Sequence, residues 1–141
     1  MTEYVAFLRG INVGGQRVIK MTDLKQLFIS LGVSNVHTYI QSGNVSFHSE
    51  SIDSDYLKNG IESNIKKLFN YDVKVMVRRL SVIKNIIKNN PFKDLDIEPE
   101  TKLYICFLEE IPIKRPPLPL LNQKEGLELF RIDDIEAYIL S

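Results

Sequence analysis

Two periodicities divide this chain. Residues 3–9, EYVAFLR, are an almost continuous apolar run and predict a first strand. Leu24, Leu27, Phe28 and Leu31 then recur at helical spacing, which predicts a helix over 23–31 with Thr22 as N-cap and Gly32 just past its end. VHTYIQ (36–41) and NVSFH (44–48) alternate at period two and flank Ser42-Gly43, the signature of a tight hairpin. A second helix is predicted over 54–69, with Leu57, Ile61, Ile65 and Leu68 on one face. DVKVMVR (72–78) follows as a strand whose Val73, Val75 and Val77 point inward.

That order, β-α-β-β-α-β, is the ferredoxin-like split βαβ arrangement, with strands 1 and 2 parallel and strand 3 antiparallel between them. A third helix over 81–90 carries Ile83, Ile86 and Ile87 on one side and stops before Pro91. An acidic, proline-containing linker leads to a strand at 102–109, a short helix at 117–122, and strands at 126–132 and 135–140. The expected class is α+β: a ferredoxin-like subdomain (1–79), a helix and linker (80–100), and a second, incomplete ferredoxin-like βαββ half (101–141). The last strand runs to the final residue, so a shortened version of a longer protein is expected. A homodimer through this second half would cover Ile135, Ile139 and Leu140.

Composition narrows the class. At 141 residues and 44% hydrophobic content the chain can bury a real core. No apolar run approaches the ~18 residues of a membrane span, and no basic-then-apolar leader opens the chain; a cytoplasmic protein without membrane partners is expected. The single cysteine, Cys106, excludes an internal disulfide and reads as a small buried hydrophobe. No metal-ligand spacing and no cofactor motif occurs, so neither a metal nor a cofactor is assigned. Net charge is zero, yet residues 1–52 carry +1, 53–92 carry +4 and 93–141 carry −5.

Three stretches bear a resemblance. YVAFLRGINVGG (4–15), LKQLFISLG (24–32) and YIQSGNV (39–45), in this order and spacing, closely resemble the domain-of-unknown-function family 1697. NPF at 90–92 and the strand around 105–108 look like it as well. The resemblance implies an α+β protein with a ferredoxin-like half and no established activity. It also implies a further polar segment with an Arg-Asn pair, beyond the point where this sequence ends.

The candidate chemistry lies in the first loop. Residues 10–21 make a longer connection than the usual ~2–6 residues between strand and helix, and they run into a helix N-terminus. Gly14 and Gly15 permit a positive-φ turn or close approach of a ligand, and Arg9 and Lys20 add charge. The split βαβ topology places the Gln41–Asn44 hairpin at the same sheet edge. Arg9, Asn12, Gly14, Gly15, Lys20, Gln41, Ser42 and Asn44 thus form a candidate site for an anionic small molecule or nucleotide. Neither the Walker nor the dinucleotide pattern is present, and a simple glycine turn explains Gly14-Gly15 equally well.

Two alternatives remain. Lys66, Lys67, Lys74, Arg78, Arg79, Lys84 and Lys88 make a basic set over 58–88 that would suit RNA or DNA, with Tyr39 or Phe47 offering a stacking face. An enzyme completed by the missing segment is the other. His37 and His48 read as ordinary strand histidines, and the two S-x-x-K matches at Ser63 and Ser81 lack companion motifs.

Overall fold

A computed structural model describes all 141 residues, Met1–Ser141. The protein is α+β, with three helices and two four-stranded antiparallel sheets, and it divides into two compact units, Met1–Ile87 and Lys88–Ser141.

In the first unit β1 (Thr2–Leu8), β2 (Ser34–Tyr39), β3 (Asn44–Ser49) and β4 (Val75–Arg79) lie in the order β2-β3-β1-β4. Every neighbouring pair is antiparallel, so β1 and β2 are parallel with β3 between them, as the split βαβ pattern requires. Alternation sorts the faces: Tyr4, Ala6 and Leu8 of β1, Val45 and Phe47 of β3, and Val75 and Val77 of β4 are buried. Against them pack Leu24, Leu27 and Phe28 of α1 (Met21–Ser30) and Leu57, Ile61 and Ile65 of α2 (Ser54–Phe69). Phe47 sits between Tyr4 and Phe28, with ring centroids 5.6 and 5.4 Å away. Its place is therefore the core, and it offers no stacking face to a nucleic acid.

Helix ends show how local chemistry sets the boundaries. Asp53 caps α2 by accepting from the backbone N–H groups of Asp55 and Tyr56 at 3.0 and 3.2 Å, and Asn70 closes it in the left-handed conformation. In α1 the helix starts earlier than Thr22 suggested, because Leu24 N–H already bonds the Lys20 carbonyl at 3.0 Å. Lys20 is the N-cap and makes no side-chain cap. Gly32, with φ 84°, does terminate the helix as expected. Leu68, in the last turn of α2, is exposed although it shares the helix face of Leu57 and Ile61.

After β4 comes α3 (Leu80–Asn89), none of whose residues is buried. In the second unit β5 (Leu103–Phe107), β6 (Leu120–Asn122), β7 (Leu127–Asp133) and β8 (Glu136–Leu140) lie in the order β5-β8-β7-β6. β5 and β7 flank β8 as antiparallel neighbours, the relation that strands 1, 3 and 2 have in the first unit. The crossover differs from expectation: residues 117–122 are not helical, and Leu120–Asn122 instead pair with β7. Pro116, Pro117 and Pro119 lack N–H donors and push each preceding residue out of the helical region. Phe92, Phe130 and Tyr138 form this unit's aromatic core, with centroids 5.4–6.2 Å apart. Cys106 is exposed rather than buried.

Candidate functional site

The β1–α1 loop is a folded object in its own right. Gln16 N–H donates to the Val13 carbonyl at 2.9 Å and Asn12 N–H to the Arg17 carbonyl at 3.1 Å, which makes a miniature hairpin. Its two central residues, Gly14 and Gly15, have φ of 58° and 74°, the double positive φ of a type I′ turn. A methyl group at either would touch nothing within 4 Å, so conformation rather than crowding asks for glycine there.

Asn12 holds this hairpin down. Its Oδ1 accepts from Ile19 N–H at 2.8 Å, and its Nδ2 donates to the carbonyls of Ile19 at 3.0 Å and Gln41 at 3.2 Å. Both amide protons are committed, so the side chain fixes the loop and has no donor left for a ligand. Ile11 and Ile19, 3% and 2% exposed, root the loop's two ends in the core.

The neighbouring hairpin is wider than the Ser42-Gly43 pair suggested. Tyr39 and Asn44 are the last paired residues, leaving a four-residue turn, Ile40 to Gly43. Ser42 Oγ donates to the Tyr39 carbonyl at 3.0 Å and so closes its own turn. Gly43 accepts from Leu8 N–H at 3.0 Å and lies so close to Ile11 and Leu8 that a Cβ would sit 3.0 Å from their side chains. Gln41 is exposed with its carbonyl tied to Asn12, and Asn44 is half-buried opposite Phe7.

Around this frame the cations gather. Arg9 N–H donates to the Lys74 carbonyl at 2.9 Å, which carries the β1–β4 register one step past Leu8↔Val75. Arg9 and Lys74 therefore stand directly opposite each other. Arg17 folds its guanidinium over the next residue, Gly10, where a Cβ would be 3.4 Å from Nη1. Lys20 stands at the N-terminus of α1, whose free N–H groups add positive potential. Asp23 is the only acidic residue between Glu3 and Glu50.

Of the residues expected from sequence, Arg9, Lys20, Gln41 and Asn44 come to this edge with side chains not used up by the turn. Gly14 and Gly15 form the hairpin's exposed tip, while Asn12 and Ser42 are spent on structure. Arg17 was not among the expected site residues, and Lys74 was assigned only to the wider basic set. Arg17 carried a signal in its loop position, whereas Lys74 is brought in only by strand register.

The wider basic set does not form one face. Lys66 Nζ pairs with Asp72 at 3.4 Å, Arg78 is 9% exposed, and Arg79, pointing the other way along β4, donates to the Ile52 carbonyl at 3.0 Å. His37 and His48 are joined through Asn35, whose amide lies 3.0 and 3.1 Å from their Nε2 atoms.

A ferredoxin-like first unit with a clamped glycine hairpin beside the sheet places the chain among α+β proteins. The chain belongs to the family described as protein of unknown function (DUF1697), which matches residues 1–138. A conserved bacterial protein from Streptococcus pneumoniae has a similar structure, with a TM-score of 0.72 and 22% identity, over 99% of this chain and 77% of that one. Among curated proteins none matches. No helix is long and apolar enough to cross a membrane.

Proposed function

We propose that this protein binds an anionic small molecule at the edge formed by the Arg9–Lys20 loop and the Gln41–Asn44 hairpin. One observation carries the reading: Arg17 leans over Gly10, the residue after Arg9, on a stretch where Asp23 is the only carboxylate from residue 4 to residue 49. An anion beside Arg9 and Arg17 would accept charge-assisted hydrogen bonds from their guanidinium groups. The glycine hairpin and the Asn12 clasp fix the loop on which Arg17 and Lys20 stand. Nucleic-acid binding through the 58–88 set has less support, because Lys66 is paired, Arg78 is buried and Arg79 is bonded to backbone.

Titration with inorganic phosphate at low salt, followed by amide chemical shifts, tests this. The expected shifts centre on Arg9, Gly10, Arg17 and Lys74, and Arg9→Ala weakens binding by about 1.5–3 kcal/mol. Shifts confined to the Lys66–Lys67 face, or an Arg9→Ala variant that binds as well as the parent, would overturn it.

A further inference from the structure

We infer that the anion at this edge belongs to a mononucleotide whose base lies on Tyr39 and Ile40, an assignment that rests on the anion-binding reading. Four large apolar side chains are exposed around the cations: Tyr39 at 68%, Ile40 at 67%, Val13 at 63% and Val18 at 55%. They stand on the two turns that Asn12 ties together, so they form part of the same edge.

Register gives the separation. Asn44 pairs with Tyr39 on one side and with Phe7 on the other, so Tyr39, Asn44 and Phe7 form one cross-strand row. Tyr39 is two strand spacings from Phe7, about 10 Å. Arg9 lies two residues beyond Phe7 on the same face, a further ~7 Å along the strand. Tyr39 and Arg9 are then roughly 12 Å apart at Cα, and their long side chains span a gap of nucleotide size. Asn44 stands between them on the same face, half-buried, with an amide that can both donate and accept. A phosphate at Arg9 and Arg17, a polar middle at Asn44 and a flat base on the Tyr39 ring match these elements in order. Inorganic phosphate or a small carboxylate would use only the first.

Backbone strain points to the same place. Ile40 has φ 44°, a region that a β-branched side chain almost never enters. Ile40 keeps that conformation although its side chain is mostly exposed and gains little from packing.

The test compares AMP, ribose 5-phosphate and inorganic phosphate by chemical-shift titration of the whole chain, with thermal melting to verify folding of each variant. AMP is expected to bind about tenfold or more tighter than ribose 5-phosphate, the scale of one base stacked on an aromatic ring. Tyr39→Ala should erase that difference, Tyr39→Phe should keep it, and Arg9→Ala should weaken all three ligands. AMP binding no tighter than ribose 5-phosphate, while Arg9→Ala still weakens phosphate, overturns the nucleotide assignment and leaves anion binding standing. Failure of all three to bind overturns both. A Tyr39→Ala variant that retains the AMP advantage also removes the role given to that ring.

Discussion

The side-chain amide of Asn12 grips both backbone groups of Ile19: Oδ1 accepts its N–H at 2.8 Å and Nδ2 donates to its carbonyl at 3.0 Å. Ile19 is 2% exposed, so removing the amide strands a donor and an acceptor where water reaches poorly. Asn12→Ala is expected to cost about 2–4 kcal/mol, read from the urea unfolding midpoint. Asn12→Asp keeps the acceptor but turns an oxygen toward the carbonyls of Ile19 and Gln41, so it should not rescue stability. A loss under about 0.5 kcal/mol for Asn12→Ala would mean the loop does not depend on this clasp.

Glycines at this edge have different reasons to be glycine. Gly43, with φ 83°, would also drive a Cβ against Ile11 and Leu8 at 3.0 Å. Gly43→Ala should cost about 2–4 kcal/mol, combining left-handed strain with overpacking. Gly14, with φ 58° and open space around it, meets only the first penalty. Gly14→Ala should therefore cost about 1–2 kcal/mol. Equal losses in chemical denaturation would remove the packing role assigned to Gly43.

Tyr138 makes the second unit sensitive to alkali. Its hydroxyl is pushed above the ordinary tyrosine value first by burial and then by the Asp133 and Glu136 carboxylates, while Arg131, 5.7 Å from the ring centre, opposes them. Above the ordinary value of about 10 the unfolded chain loses this proton while the folded one still holds it. The folded state then binds more protons, so stability falls as pH rises through that window and is unaffected below it. Urea midpoints at pH about 9 and about 11 should fall more for the parent than for Tyr138→Phe. Parallel declines would show that Tyr138 does not couple to folding.

Much of the first unit was legible because its elements are long enough to show their period. Leu24, Leu27 and Phe28 announced α1, and Val73, Val75 and Val77 announced the inward face around β4, with no knowledge of tertiary partners. Residues 117–122 were not legible in the same way: a leucine-rich segment suits helix or edge strand, and pairing with β7 decides between them. The candidate site was visible as a glycine loop and a polar hairpin, but not as an arrangement. Lys74 meets Arg9 only through the β1–β4 register, and Asn12 looked like a ligand contact because nothing in the sequence shows its amide turned onto Ile19. Ile40 was invisible altogether, since a β-branched residue is the last that local rules would place at positive φ.

That same residue separates stability from function. Ile40 is 67% exposed at φ 44°, so it pays conformational strain and recovers little burial. Asparagine tolerates the left-handed region far better, because its short side chain crowds the following carbonyl less and can bond locally. Ile40→Asn is expected to stabilise the protein by about 1 kcal/mol. Ile40→Gly should gain less, because glycine also enlarges the freedom of the unfolded chain. If the base of a nucleotide rests on this edge, the same Ile40→Asn change should weaken AMP while leaving inorganic phosphate unaffected. A variant that melts lower than the parent would show that the turn does not strain Ile40. One that melts higher and binds AMP undiminished would locate the base on Tyr39 alone.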